Sequence, residues 1–282
     1  MQWYWWVLIL VLALALAGAA FATWWFLFRT KSPTPIGKKF QCWYSKVNTW
    51  PFDKKVLEAD VDKCAKAGVT GFHVSMMGWA RYDAWTPNWF KLTEKMYVLL
   101  LGLCRRKGLW LFAEIVNDNM GSGKYGDPKV PLSKRMPEAR KLAEIVKKHG
   151  PKNVIVQPVG ETQTAAGAAF EQECVGIFGG KFPLVYNGGT GRPGNIPAGF
   201  KYRAWHPFKV TDTVPSDAIV VSDTGSIIVQ LGHGLEGASK PDVLKAWAQH
   251  VRASQCPVCC YYVFKFGGHD PDGIKALGEA AK

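Results

Sequence analysis

The sequence predicts an α/β fold, a (β/α)8 TIM-like barrel preceded by one transmembrane helix. Eight short apolar runs, rich in β-branched and aromatic residues, recur after an uncharged N-terminal stretch. Amphipathic segments that end at glycine separate several of these runs, and this alternation is typical of a parallel sheet. Residues 40–282 also come close to the roughly 250 residues that such a barrel needs.

The N-terminal stretch has the length and composition of a membrane span. No charged residue occurs from Trp3 to Phe28, and a helix of this length, rising about 1.5 Å per residue, reaches roughly 39 Å. Tryptophans cluster at both ends, as in interfacial aromatic belts. A cleaved signal peptide is the alternative, but no Lys or Arg precedes the run, and the run continues past the small-residue site at 20–22. The predicted domains are an anchor at 1–30, a proline-stiffened linker at 31–39 and a barrel at 40–282.

The charge balance is strongly basic. A formal net charge of +13 favours anionic partners such as a phospholipid surface, acidic glycans or cell-wall polymers. Nucleic acid is the weakest of these partners, because no helix-turn-helix, zinc-finger or RNA-binding aromatic motif accompanies the charge. All basic residues that flank the span follow it, so the flanking charges place the barrel on the cytoplasmic side. These residues are Arg29, Lys31, Lys38 and Lys39.

Cysteine usage agrees with a reducing compartment and gives no metal motif. The chain has seven cysteines, an odd number that cannot all pair within one chain. Cys256, Cys259 and Cys260 form a CxxCC cluster, but no second pair has the spacing of zinc ligands. The other four lie in apolar segments, where thiols act as small hydrophobic residues. We therefore expect neither a bound metal nor a cofactor.

The predicted elements follow one another in a regular order in the first half of the chain. Helices at 53–66, 88–107, 137–149 and 165–178 are each followed closely by glycine. The glycine-rich segment 188–199 and the proline-interrupted segment 207–216 predict that helices after strands five and six are short or missing. Two further helices are expected at 241–253 and 270–281. The eight strands are expected at 40–45, 69–76, 109–116, 154–159, 182–186, 202–205, 218–221 and 258–264.

Polar side chains follow five of these strands. A parallel barrel brings the carboxyl ends of all its strands to one rim, where catalytic groups lie. Carboxylates on opposite sides of such a rim are what glycoside hydrolysis needs, one protonated as acid and one ionised. The strand-end residues are Glu114, Asn117 and Asp118 after strand three, Glu161 after strand four, Asn187 after strand five, His206 after strand six and Asp223 after strand seven.

With Glu161 after strand four and Asp223 after strand seven, the chain resembles the large retaining clan of TIM-barrel glycoside hydrolases. The resemblance covers the strand order of residues 40–268 and implies that Glu161 is the general acid and Asp223 the nucleophile or base. Two positions depart from the clan's pattern, since Gly160 stands where Asn usually precedes the acid, and Asp223 is one methylene shorter than the usual Glu. A wider gap between the carboxyl groups would admit a water and favour inversion.

Aromatic residues near the same rim favour a sugar ligand. Trp43 lies with strand one, Trp79, Trp85 and Trp89 lie in the segment after strand two, and Trp205 precedes His206 at the end of strand six. Flat apolar rings with a polar edge suit the faces of pyranose rings. The residues expected to bind substrate are Trp43, Trp79, Glu114, Asn117, Asn187, Trp205 and His206.

Several of these residues also have a purely structural interpretation. Glu161 could cap the helix that begins near Thr164, and Asp223 before Thr-Gly could be a turn residue. Glu114, inside strand three, could form an ion pair with a basic neighbour. His73 is interpreted as a hydrogen-bonded histidine of the core.

Two functions of different classes remain open from the sequence. The first is a membrane-anchored glycoside hydrolase that cleaves a polysaccharide or cell-wall glycan. The second is a non-catalytic barrel that binds a glycan or serves as a structural protein of a membrane or envelope, including that of a virion. The side of the membrane also divides the interpretations, because the flanking charges favour the cytoplasm whereas an external glycan requires the outer side.

Overall fold

A computed structural model gives the fold over most of the first two hundred residues and over short segments beyond. Residues 26–28, 41–46, 117, 205, 218–222 and 258–263 are described by their backbone only. The described residues are 3–28, 30–36, 41–46, 53–76, 86–118, 131–160, 162, 164–187, 196–205, 218–222, 249, 258–263, 274–275 and 278–279.

The N-terminal stretch forms one helix, α1, at Trp3–Phe28. The segment Trp3–Trp25 has a mean hydropathy of 2.4, and none of its most apolar window is buried against the rest of the chain. An apolar helix of this length, whose most apolar window is not buried among the described residues, has the properties of a membrane span or of a signal sequence.

All eight predicted strands form, and they pair in parallel within one sheet. The sheet order is β4-β3-β2-β1-β8-β7-β6-β5, so β8 lies beside β1. The two ends of this order also touch, because Val156 forms a parallel bridge with Leu184 and donates from its N–H to the Pro183 carbonyl at 3.0 Å. The strands are β1 Gln41–Lys46, β2 Gly71–Ser75, β3 Trp110–Asn117, β4 Val154–Gly160, β5 Val185–Tyr186, β6 Tyr202–Trp205, β7 Ala218–Ser222 and β8 Val258–Val263.

A helix follows each of the first four strands, as predicted. These helices are α2 Lys54–Ala67, α3 Pro87–Lys107, α4 Met136–Lys148 and α5 Ala165–Phe178. Side chains of Asp53, Thr86 and Thr164 cap the N-termini of α2, α3 and α5, because each accepts a hydrogen bond from an otherwise unpaired N–H of the first turn. A short 3₁₀ turn at Leu132–Lys134 precedes α4.

The second half is described only in part. Between β5 and β6 the described residues 196–201 contain a turn and no helix. That the helix after strand five is short or missing stays a prediction. The segments 188–195 and 206–217 and almost all of the predicted helix at 241–253 lie outside the described residues. Of the predicted last helix, residues 274–275 and 278–279 are helical.

The sheet separates two apolar regions. Alternate residues of a strand point to opposite faces, so Leu111, Ala113 and Ile115 of β3 pack toward the helices while Phe112 packs on the other side. Phe112 is fully buried with Ile155, Val185 and Ala204, one residue from each of four strands. Buried thiols of Cys64, Cys104 and Cys174 belong to the helix-facing region as free cysteines, which confirms their predicted role as small apolar side chains.

The segment predicted as a linker packs against the N-terminal end of the sheet. The Lys31 N–H donates to the Arg105 carbonyl at 2.8 Å, and the Trp110 indole N–H donates to the Thr34 carbonyl at 3.0 Å. Ile36 packs against the inner cluster around Phe112. The chain that leaves α1 is therefore held against the sheet over residues 31–36.

The C-terminal helical segment reaches the end of α2. Gly278 lies so close to Ala67 that a Cβ atom at position 278 would overlap the Ala67 backbone carbonyl. Only glycine permits this approach, because the carbonyl belongs to backbone that cannot rotate away.

Gly278→Ala should therefore lower the free energy of unfolding by about 2 kcal/mol, as overpacking does in other cores. Urea titration followed by circular dichroism measures the change. Gly176→Ala is the matched control, since nothing lies within 4 Å of a Cβ at exposed Gly176 in α5, and alanine favours a helix over glycine. Equal stability of Gly278→Ala and the native protein would contradict the close packing.

Candidate functional site

A polar level crosses three adjacent strands inside the sheet. Ser75 of β2, Glu114 of β3 and Gln157 of β4 occupy one register position, so their side chains point to the same face. The Ser75 hydroxyl donates to Oε1 of Glu114 at 2.9 Å, and the Gln157 amide donates to Oε2 at 3.1 Å. Glu114 is only 6% exposed and Gln157 is fully buried. Two donors thus satisfy a carboxyl group that would be costly to bury alone.

His73 lies just below this level. Its ring stacks on Phe112 with a centroid distance of 4.4 Å, and its Nε2 lies 3.8 Å from Oε2 of Glu114. With 1% of its surface exposed, His73 is the core histidine that the sequence indicated. His73 is thus a buried basic group beside the Glu114 carboxylate.

The chain on both sides of Glu161 is fixed to neighbouring strands. The Asp118 N–H at the end of β3 donates to the Gly160 carbonyl at 3.1 Å, and the Thr162 N–H donates to the carbonyl of Asn187, just after β5, at 2.9 Å. These bonds tie the C-terminal end of β4 to the ends of both neighbours. Position 161 itself is outside the described residues, but the backbone on either side of it is held at the rim.

Asp118 fixes the start of the helix that follows. Its carboxylate accepts hydrogen bonds from the Thr164 N–H at 2.6 Å and from the Thr164 hydroxyl at 2.9 Å. The same hydroxyl accepts from the Gly167 N–H at 3.1 Å and so caps α5. Thr164 thus fills the capping role that the sequence left open for Glu161.

A second buried carboxyl group lies behind this loop. Glu171 of α5 is 3% exposed, and its burial raises its pKa to about 7, because a charged carboxylate is poorly solvated there. The Thr162 hydroxyl and the Asn187 backbone act in the opposite direction, and the negative charge of Asp118 adds to the increase. Glu171 therefore gains or loses its proton near neutral pH directly beneath the segment that follows Glu161.

The described residues bring together part of the predicted site. Glu114 and Asn187 are both buried, Glu114 within the polar level and Asn187 beside Thr162. Trp89, one of the aromatic residues considered for sugar binding, instead packs in the core at 4% exposure. Trp43, Asn117 and Trp205 lie in β1, β3 and β6, whose backbone places them without describing their side chains. The positions outside the described residues are Trp79, Trp85, Glu161, His206 and Asp223.

Two residues of this region, Gln157 and Glu171, are absent from the predicted site although the sequence carries a signal for each. Gln157 is the only amide in the apolar run of strand four, which is a usable signal for an interior polar contact. Glu171 falls on the apolar stripe of α5 with Gly167, Phe170, Cys174 and Phe178, all of them buried. A carboxylate on the buried stripe of a helix is the sequence signal for a perturbed group.

Comparison with known proteins identifies the fold. No protein-family model matches the sequence, and no curated protein matches it. Among solved structures, the chain is similar to a glycoside hydrolase, with a TM-score of 0.52 and 10% identity over 83% of this chain and 64% of that one. It is also similar to a glycoside hydrolase family 5 protein from Bacteroides vulgatus, with a TM-score of 0.51 and 9% identity over 79% of this chain and 57% of that one.

A third similar structure matches over nearly its whole length. It is a family 5 lichenase from a Caldicellulosiruptor species, with a TM-score of 0.52 and 12% identity over 89% of this chain and 97% of that one. The chain thus spans about three fifths of the first two structures but almost all of the lichenase. The resemblance in strand order that the sequence indicated is confirmed at the level of fold. The fold of this chain is distantly similar to that of the glycoside hydrolase barrels.

Proposed function

We propose that the protein is a membrane-anchored glycoside hydrolase that cleaves a polysaccharide or cell-wall glycan. Glu161 acts as general acid and protonates the glycosidic oxygen, and Asp223 acts as nucleophile or as the base that activates water. The anchor comprises residues 1–30, the linker 31–39 and a closed (β/α)8 barrel residues 40–282.

The observation that carries this proposal is the fixed chain around Glu161. Gly160 and Thr162 are bonded to residues at the ends of β3 and β5, so the described chain on both sides of position 161 is held at strand ends. In barrels with this strand order the rim is where catalytic groups lie. This support for the flanking residues favours our assignment, because a general acid must be positioned at the glycosidic oxygen in the oxocarbenium-like transition state.

The polar level beneath the rim supports the same assignment. Ser75, Glu114 and Gln157 form a hydrogen-bonded network below the strand ends, while the next level toward the N-terminal end holds Phe112 and Ile155 beside His73. In our proposal this network is the floor of the site and holds Glu114 ready to orient the side chains above it. The substrate then contacts Asn117, Asn187 and His206, with Trp43, Trp79 and Trp205 against the sugar faces.

Release of reducing ends from a panel of polysaccharides and peptidoglycan tests the proposal. We expect the full-length protein in detergent micelles to cleave at least one polymer, and Asp223→Asn to lower that rate by about a hundredfold or more. The anomeric configuration of the first product then distinguishes retention from inversion. Glu58→Gln, at a partly exposed carboxylate on α2, is the control and should keep full activity.

If a folded native protein cleaves no polymer of the panel, the hydrolase proposal is wrong. Retained binding of a glycan in the same samples would then favour the non-catalytic alternative, a glycan-binding or structural protein of a membrane or envelope.

A further inference from the structure

The chain returns to the sheet almost immediately after α1. The helix ends at Phe28, and the Thr30 hydroxyl already accepts a hydrogen bond from Lys152 Nζ at 2.7 Å. The Lys31 N–H then donates to the Arg105 carbonyl at 2.8 Å, and the Lys31 carbonyl accepts from the Asn153 side-chain amide at 3.2 Å. Thr30 follows Phe28 by two residues, and two residues of fully extended chain span at most about 7 Å, so the end of α1 lies close to these contacts.

All of these contacts lie at the N-terminal end of the sheet. Arg105 lies in the last turn of α3, and Lys152 and Asn153 precede β4. Because helices run antiparallel to the strands in this fold, the C-terminal turns of the helices and the N-terminal ends of the strands share one face. We call this surface the N-terminal face. We call residues 30–31, which make these contacts, the tether. The tether holds the N-terminal face within a few ångströms of the end of α1.

The N-terminal face is rich in exposed cations. The last turns of α2, α3 and α4 each carry Lys or Arg, as the helix dipole favours. Two of these cations form ion pairs: Lys107 Nζ lies 2.7 Å from an Asp62 carboxylate oxygen, and Lys148 Nζ lies 2.8 Å from a Glu94 carboxylate oxygen. Six exposed cations of the face form no ion pair with a carboxylate among the described residues, namely Lys31, Lys66, Arg106, Lys152, Lys181 and Lys201.

We propose that the N-terminal face lies against anionic phospholipid headgroups of the membrane that α1 spans, and so directs the C-terminal rim with Glu161 and Asp223 away from the bilayer. The proposal rests on the membrane anchor of the proposed function but not on its chemistry. Cations close to an anionic surface are attracted over about one Debye length, roughly 8–10 Å in physiological salt, and the short tether keeps this face within that range. The substrate is then reached about one strand length, roughly 25 Å, from the headgroups.

Hydrogen exchange of the full-length protein in lipid nanodiscs tests the proposal. Discs of phosphatidylcholine alone are compared with discs that also contain phosphatidylglycerol, and both faces of a disc are open to solvent. We expect several-fold slower exchange at 104–110 and 178–185 in the anionic discs, with the difference lost at high salt. The double variant Arg106→Glu, Lys181→Glu should lose the difference.

The matched control reverses two charges at the opposite end of the helices. Lys55→Glu with Lys91→Glu changes the net charge equally, and both lysines are exposed near the N-termini of α2 and α3. This variant should keep the slower exchange. Equal exchange in both disc types, or equal loss in the control, would overturn the proposal while leaving the anchor intact. Failure of the protein to remain with the discs on size exclusion would instead refute the anchor itself.

Discussion

Glu161→Gln should lower cleavage of a natural glycan by about a hundredfold or more, because the amide cannot donate the proton that the leaving sugar oxygen needs. The same variant should cleave aryl glycosides with acidic phenol leaving groups at nearly the native rate of glycosidic bond breakage. A phenol of low pKa leaves without protonation, so the general acid contributes little to that step. Steady-state rates on the two substrate classes measure the difference.

The pH profile gives an independent check on the same residue. The alkaline limb of the native rate reports ionisation of the general acid, so it should disappear in Glu161→Gln. Glu58→Gln serves again as the control and should keep the native profile. Equal losses on natural and activated substrates would show that Glu161 acts on binding or folding rather than as the acid.

Glu171→Gln should stabilise the protein above neutral pH. Burial raises the pKa of Glu171 to about 7, above the ordinary value of about 4.5 that it regains on unfolding. The folded state therefore holds a proton that the unfolded state releases, and stability falls as pH rises from about 4.5 to about 7. Gln is neutral throughout, so its advantage should grow over this range and reach up to about 3 kcal/mol at pH ~8.

Urea unfolding of the full-length protein in micelles at several pH values measures this advantage. At about pH 4 the native protein and Glu171→Gln should have nearly equal free energies of unfolding, because native Glu171 is then protonated in both the folded and the unfolded state. Glu144→Gln, at an exposed carboxylate on α4, is the control and should show no comparable gain. A difference between Glu171→Gln and the native protein that does not change with pH would contradict the buried, proton-holding state.

The regular half of the fold is predictable from local patterns. The strands β3 and β4 appear as nearly continuous apolar runs because both of their faces are buried. The helices α2, α3 and α5 are bounded by capping side chains and by Gly68, Gly108 and Gly179, each with positive φ. These signals act over a few residues, so the chain order alone is enough to find them.

The site is less predictable, because its contacts join residues far apart in sequence. The interpretation of Glu114 left an ion pair with a basic neighbour open, and its carboxylate lies 3.8 Å from His73 Nε2 while it accepts hydrogen bonds from Ser75 and Gln157. Trp89 looked like a sugar-binding aromatic residue near the rim, yet the start of α3 turns it into the core. Neither outcome follows from spacing, since sheet register and helix rotation decide which side chains meet.

The sequence by itself determined the apolar N-terminal helix, the eight strands and the position of Glu161 after strand four, because hydrophobic periodicity and caps are properties of short segments. Only the tertiary structure decided that the segment after α1 packs on the N-terminal face and that Glu171 lies buried behind the loop after β4. Both depend on the parallel register, which sets strand ends side by side and assigns each helix a buried stripe. Burial then changes the chemistry of the carboxyl group on that stripe, because a charged carboxylate is poorly solvated there.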